Sequence, residues 1–340
     1  MDFVHIPVLL HEVLEGLAIR PDGIYVDGTV GGAGHSTEIA KRLTAGGKLI
    51  GFDRDPDAVE VATQRLAPYP ATVVHHNYEE MAEVLTEMGE VPVDGVLLDL
   101  GVSSHQLDEE SRGFSYHHDA PLDMRMSQTG MTAEDLVNTA SEEELSRILY
   151  TYGEESFARS IARNIVRARA EQPIHTTLEL AELIKSGVPQ KVRRMKNPCK
   201  KSFQAIRIAV NGEFEHLENG LKAAFSVLKP GGRLAVITFH SLEDRIVKKF
   251  FEPLPIRHPA SILVCRCFLR SFRSRSLIVP YVSFLLKKNA KKILAPEVRC
   301  FAAPQGRMLL GLSRECGYER VPLPGRGDSD FGTGSFCVRT

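Results

Sequence analysis

The chain has 340 residues, a length that suits one large domain or two smaller ones. Its 42 basic and 43 acidic side chains nearly cancel, which excludes a bulk polycation and leaves any nucleic-acid contact to a local patch. No apolar run reaches membrane-spanning length, Met1-Asp2-Phe3-Val4-His5 carries no signal-peptide pattern, and five of the six cysteines lie beyond residue 264, so a cytoplasmic protein with no disulfide-stapled core is expected.

Strand and helix signals alternate through the first hundred residues. Ile24–Asp27 reads as a short buried strand. A glycine-rich turn follows, then a helix over 36–43. A strand at 48–53, a helix at 56–66, a strand at 71–75, a helix at 78–88 and a strand at 95–99 come next. This alternation implies βαβ units and a parallel sheet. From about residue 106 to 200 no strand signal appears. Ser141 caps a helix running to Tyr150, and 154–170 and 177–185 carry apolar residues at helical spacing. A helix at 213–228, a Pro230-Gly231-Gly232 turn and a strand at 233–239 restore the α/β pattern. The expected architecture is one α/β domain interrupted by a helical cap, with a substrate cleft between the two bodies.

The turn Asp27-Gly28-Thr29-Val30-Gly31-Gly32-Ala33-Gly34-His35-Ser36 says most about chemistry. Glycines admit positive φ and close approach of a ligand to the backbone. The helix start behind them offers unpaired N–H groups. A dinucleotide fingerprint needs Gly-x-Gly-x-x-Gly, but Thr37 stands at the third glycine after Gly32 and Gly34. An acidic residue before the turn, Asp27, suits a ligand with an ammonium and a sulfonium and no phosphate. Asp53 ends the next strand, where a carboxylate can hold both ribose hydroxyls. These features point to S-adenosyl-L-methionine; a generic strand–turn–helix with a capping Asp is the plainer alternative.

Asp99 ends the fourth strand, so Asp27, Asp53 and Asp99 share the carboxyl rim where ligands sit in open α/β sheets. Gly101, Ser103 and Ser104 follow Asp99; they either line a methyl-donor and acceptor site or form a Ser-capped turn. His240, beyond the last strand, is expected to face the same rim, with Ser241 capping the next helix and Asp244 three residues on. Six basic residues, Lys191, Arg193, Arg194, Lys196, Lys200 and Lys201, form either a solvated face or phosphate contacts to RNA. The aromatic and Met residues of Gly113-Phe114-Ser115 and Pro121-Leu122-Asp123-Met124-Arg125-Met126 either flank a base or build a small helical core.

Taken in order, these strings resemble the RsmH (MraW) type of ribosomal RNA methyltransferase. The shared stretches begin at His5-Ile6-Pro7-Val8-Leu9-Leu10 and the glycine turn. They continue through Phe52-Asp53-Arg54-Asp55-Pro56, Leu98-Asp99-Leu100-Gly101-Val102-Ser103-Ser104, Arg112-Gly113-Phe114-Ser115 and Tyr152-Gly153-Glu154-Glu155. Phe203-Gln204-Ala205-Ile206-Arg207-Ile208 and Phe239-His240-Ser241-Leu242-Glu243-Asp244-Arg245 close the set. The resemblance implies an α/β, Rossmann-like class I S-adenosyl-L-methionine-dependent methyltransferase sheet with an inserted all-helical domain. It divides the chain into 1–107 and 203–252 for the methyltransferase domain, 108–202 for the substrate-side helical insertion, and a divergent 253–340.

The implied activity is methylation of the exocyclic N4 of a cytidine in the decoding centre (P site) of 16S rRNA, with the small ribosomal subunit as partner. No metal or membrane is implied, and monomer and homodimer both stay open. Cofactor contacts by family pattern fall on Ala33, Gly34, His35, Asp53, Tyr78, Asp99 and Gln106; relatives often carry Phe at the Tyr78 position. The cofactor's methyl is already activated, so the enzyme mainly aligns the amine with it. Asp99 or Ser103 can accept a hydrogen bond from that amine, and His240 joins them as a catalytic candidate. Phe114, Tyr116 and Phe239 are candidates to stack on an unstacked base.

After about Glu252 the family's motifs are lost. Codons for Phe268-Leu269-Arg270-Ser271-Phe272-Arg273, read one base off, can spell the Pro-Pro-Glu-Phe-Pro type of string that relatives carry. Those for Pro296-Glu297-Val298-Arg299-Cys300-Phe301 can shift to Pro-Arg-Ser-Ala-Ala-Ser. A frameshifted tail is expected, with Cys265-Arg266-Cys267 an accident and not a zinc site, 324–334 disordered, and a sheet edge left open. An alternative function follows: a ribosome- or RNA-binding protein of methyltransferase fold whose catalysis is impaired by that tail.

Overall fold

The computed structural model describes residues 7–44, 46–195 and 197–251. The backbone of four further strand segments, Ser261–Arg270, Leu277–Ser283, Arg320–Val321 and Phe336–Cys337, is also described. The chain forms two compact units, Met1–Lys288 and Asn289–Thr340. In the second, the described residues are Arg320–Val321 paired antiparallel with Phe336–Cys337.

The first unit is built on a seven-stranded sheet: β1 (Ile24–Asp27), β2 (Lys48–Asp53), β3 (Ala71–His75), β4 (Val93–Asp99), β5 (Leu228–Thr238), β6 (Ser261–Arg270) and β7 (Leu277–Ser283). Their spatial order is β3-β2-β1-β4-β5-β6-β7. All neighbours run parallel except β6 and β7. The first six follow the doubly wound order, whose strand reversal falls between β1 and β4. β6 pairs along β5 from Arg233↔Ser261 to Thr238↔Arg266, so the open edge expected at β5 is covered.

Strands buried on both faces read as continuous apolar runs. Val96, Leu97 and Leu98 are wholly buried, each worth about 1.5–3 kcal/mol on the usual scale for apolar burial. Neighbouring residues point to opposite faces. Tyr25, Leu49, Leu97 and Ala235 meet α1 (Leu10–Leu17), α2 (Gly34–Ala40) and α3 (Pro56–Leu66). Val26, Ile50, Leu98 and Val236 meet α4 (Met81–Glu87) and two late helices.

Between β4 and β5 come α5 (Ser104–Asp108), α6 (Ala133–Thr139), α7 (Glu142–Gly153), α8 (Ala158–Glu171), α9 (Thr177–Ser186), α10 (Gln190–Met195), α11 (Cys199–Asn211) and α12 (Glu213–Val227); α13 (Ser241–Phe251) follows β5. Residues of 114–206, mostly from α6 to α9 and α11, enclose a core of their own. Phe114, Leu122, Met124 and Met126 belong to that core, and Tyr116 packs edge-on against Phe203. Phe114 is therefore built into the helical body, while Tyr116 is half-buried at its edge. Phe239 stays half-buried, its ring against Gly101.

Several boundaries differ from expectation. α2 starts at Gly34 because Ala33 takes a left-handed N-cap conformation (φ 59). The helix expected from 154 starts at Ala158, because Glu154 caps α7 in a left-handed conformation and Glu155 Oε1 accepts from the Phe157 amide (2.9 Å). The Pro230-Gly231-Gly232 turn is an irregularity inside β5, where pairing jumps from Val93↔Leu228 to Gly95↔Arg233. The segment 324–334 and the string 296–301 lie outside the described residues. Among the described residues, no helix is long and apolar enough to cross a membrane.

Candidate active site

The glycine turn is held from behind by two carboxylates. Asp27, 1% exposed, accepts from Ser36 Oγ (2.7 Å) and the Thr29 amide (3.1 Å). Both oxygens are thus bonded to the loop's own groups, and burial raises the Asp27 carboxyl above its ordinary range. Asp53 Oδ2 accepts from the Gly31 amide (2.8 Å) and Oδ1 from the Asp55 amide (2.9 Å). Burial pushes the Asp53 carboxyl up to about 6, against those amides and with the charges of Asp55 and Asp27.

Two approaches in the turn are too tight for a side chain. A Cβ on Gly28 would meet Leu98 Cδ2 at 2.5 Å, and one on Gly34 would meet Pro7 Cγ at 2.7 Å. Next to them, His35 Nε2 lies 2.9 Å from the Val8 carbonyl oxygen, which only accepts, so Nε2 carries the proton. His35 Nδ1 sits 3.5 Å from Asp99 Oδ2.

Asp99 crowns β4. Its amide donates to Thr29 Oγ1 (2.7 Å), which seats it against the glycine turn. Its Oδ1 is buried with no hydrogen-bond partner among the described residues. Burial drives this carboxyl well above the ordinary range, and the charges of Asp27 and Glu243 add to the shift. An unpartnered buried acceptor is costly and favours an N–H donor.

The rim therefore gathers Ala33, Gly34, His35, Asp53 and Asp99. Ser103 stands beside the turn, its Cβ 3.9 Å from where a Gly31 Cβ would lie. Its hydroxyl caps α5 by accepting from the Gln106 amide (3.2 Å). Gln106 is only 5% exposed and already bonded on both sides: Oε1 accepts from the Ser103 amide (3.1 Å) and Nε2 donates to Asp55 Oδ2 (2.7 Å). Tyr78 lies in a short 3-10 turn after β3, with its ring packed on Gly220 of α12. Burial raises its hydroxyl pKa.

His240 precedes α13. Its Nε2 lies 3.1 Å from Glu243 Oε1, and Glu243 Oε2 accepts from the Phe239 (2.7 Å) and His240 (3.1 Å) amides. The cap is thus reciprocal between His240 and Glu243 rather than made by Ser241: Glu243 takes the two amides that lead into the helix, and His240 Nδ1 accepts from the Glu243 amide (3.4 Å). Burial raises the Glu243 carboxyl, but His240, the Phe239 amide and the Arg207 charge outweigh it and leave it below its usual value. Sequence reading missed Glu243, Asp55 and Arg112: all three stand in the quoted strings, Glu243 meeting partners within its own string, Asp55 and Arg112 meeting each other across 57 residues.

The donor set fits S-adenosyl-L-methionine. Carboxyl groups at Asp53 and Asp99 suit a ribose diol, and a cationic ligand would favour their ionised forms where a pyrophosphate would oppose them. Among the described residues, no group of three or more His, Cys, Asp or Glu side chains is placed to hold a metal.

Comparison with known proteins agrees. The family model described as MraW methylase matches residues 2–278. That match runs past Glu252, so the resemblance extends further than its motifs alone indicate. The chain is 55% identical over 273 residues to ribosomal RNA small subunit methyltransferase H of Symbiobacterium thermophilum, covering 78% of this chain and 86% of that one. The like-named protein of Lachnospira eligens is 55% identical over 277 residues (80% and 88% covered). That of a Paenibacillus species is 58% identical over 259 residues (73% and 82% covered). The chain belongs to the MraW methylase family.

Proposed function

We propose that this chain methylates the exocyclic N4 of a cytidine in the decoding centre of 16S rRNA, acting on the small ribosomal subunit in the cytoplasm. Its cofactor, S-adenosyl-L-methionine, supplies an activated methyl group. Residues 1–107 and 203–252 make the methyltransferase domain, and 108–202 form the substrate-side insertion. Ala33, Gly34, His35, Asp53, Tyr78, Asp99 and Gln106 hold the cofactor; Asp99, Ser103 and His240 act on the amine.

One observation carries this reading: the buried, unpartnered Oδ1 of Asp99 beside the glycine turn. Cytosine N4 is a poor nucleophile because its lone pair is delocalised into the ring. An acceptor on one N–H favours a pyramidal nitrogen and aligns the lone pair with the methyl, and the proton that the methylated amine sheds passes to water. Ser103, next to the turn, can share that role. His240, oriented by Glu243, stands beyond Asp99 on the neighbouring strand's end.

Alanine at Asp99, Ser103 and His240 tests the assignment, with cofactor affinity measured separately by calorimetry. Asp99→Ala is expected to lose at least about a hundredfold in methyl transfer at saturating cofactor. A variant that binds cofactor normally and methylates at the full rate removes that residue from the mechanism. Cells lacking the gene are expected to lose N4-methylcytidine from 16S rRNA and to regain it on complementation. Unchanged nucleoside content contradicts the acceptor.

A further inference from the structure

The end of β2 is a junction of three parts of the molecule. Asp53 holds the glycine turn through the Gly31 amide. Arg54 donates to Asn211 at the end of α11, through Nη2 to Oδ1 (2.8 Å) and Nη1 to the carbonyl oxygen (3.0 Å). Asp55 receives Gln106 Nε2 (2.7 Å) and Arg112 Nη2 (3.0 Å) on the same Oδ2. Arg112 goes further. Its Nη1 reaches Asp57 Oδ2 (2.9 Å), and Nη2 donates to the carbonyls of Arg125 (2.9 Å) and Met126 (3.0 Å), which lead into the helical body. The Asp55 and Arg112 side chains are 1% and 10% exposed.

This network fixes Gln106. A primary amide offers two donors and two acceptor lone pairs. One donor is committed to Asp55 and one lone pair to the Ser103 amide. Turning the amide over would set its oxygen against the Asp55 carboxylate and its NH2 against the Ser103 N–H. Neither is tolerable in a buried site. Its sense is therefore locked, and one N–H and one lone pair remain for a ligand.

We infer that Asp55 and Arg112 are positioning residues for the cofactor site: their buried pair orients the Gln106 amide and ties it to the seat of the helical body. This rests on the reading of Gln106 as a cofactor contact. Arg112 holds the Asp55 carboxylate in place; without it Asp55 loses its cationic partner in a buried site, and Gln106 loses its anchor.

The test is calorimetric titration of S-adenosyl-L-methionine into the full-length protein and its variants Gln106→Ala, Arg112→Gln, Asp55→Asn, the Gln106→Ala/Arg112→Gln double variant, and Ile184→Ala. Ile184 lies in the helical core and serves as the control for general loss of stability. Arg112→Gln and Asp55→Asn are each expected to weaken cofactor binding about tenfold, as Gln106→Ala does. The double variant is expected to bind no worse than the weaker single one, because all act through one contact. Ile184→Ala is expected to lower Tm and leave affinity unchanged. If Arg112→Gln does not fold, Arg112→Lys keeps the charge but not the fork, and is expected to lose affinity in part. Arg112 and Asp55 variants that bind like wild type, while Gln106→Ala does not, overturn the inference and leave the cofactor reading intact. Unchanged affinity in Gln106→Ala overturns both.

Discussion

At the scale of single residues, the pocket is governed by carboxyl groups held in unfavourable surroundings. Asp53 sits at about 6, above its ordinary 3.8, chiefly because it is buried. The folded state therefore favours its protonated form. Its contribution to stability is full below about pH 4 and is lost as pH rises through about 6. Asp53→Asn removes that loss, so its stability relative to wild type is expected to rise between pH 4.5 and 7.5 in urea titrations. Ligand binding runs the other way. Ionised Asp53 accepts hydroxyl donors best, so cofactor affinity is expected to increase from pH 5 to 7 in wild type and to increase less in Asp53→Asn, where Asp99 is the remaining raised carboxyl. An affinity independent of pH in wild type contradicts Asp53 as the ribose contact. Asp53 and Asp99 were legible in the sequence because strand ends next to a glycine turn are ligand positions. The Asp55–Arg112 pair was not, because its members are 57 residues apart and meet only when the insertion docks.

At the scale of elements, strands and long helices followed from apolar pattern, and short or capped pieces did not. β2 and α3 match the expected spans because Lys48–Asp53 is a buried run and Asp55 caps a Pro-led helix. α2 eluded pattern because Ala33 adopts a conformation that L-residues seldom take. α11 was hidden by the basic run at its start, although Phe203, Ile206 and the other apolar residues of that helix face the core. Turn geometry also sets what can change. Gly113 has φ +69, and a Cβ there would overlap the Pro121 carbonyl oxygen. Gly113→Ala combines left-handed strain with a clash against backbone and is expected to cost at least about 2 kcal/mol, read from denaturation midpoints. Gly130, at φ +83 with open space around it, is the comparison site. Alanine there is expected to cost about 1 kcal/mol, from strain alone.

At the scale of the whole molecule, the sheet supplies the acidic rim proposed for the cofactor and the helical body a cationic surface. Lys191, Arg193, Arg194, Lys200 and Lys201 are exposed along α10 and the start of α11, while Val192 and Cys199 pack inward. If these cations meet rRNA phosphates, charge reversal at Lys191, Arg193 and Arg194 weakens small-subunit binding and lowers its salt slope by about 0.7 per lost contact. Cofactor affinity in the same variant is expected to be unchanged. The two-body plan was legible because strand signals stop at one point and resume at another. The tail was not read fully: family similarity runs to residue 278, and β6 continues the sheet beyond the point where the motifs fade. The coding sequence tests the frameshift directly, since a family-like reading is expected in another frame after that point.

The central claim is that this rim transfers a methyl group to a cytidine amine of the small subunit. The most direct measurement is tritium transfer from labelled S-adenosyl-L-methionine to small ribosomal subunits lacking the modification, followed by nucleoside analysis of their RNA. Label recovered in N4-methylcytidine, and lost in Asp99→Ala, is the predicted result. Cofactor binding without label in that nucleoside would contradict it.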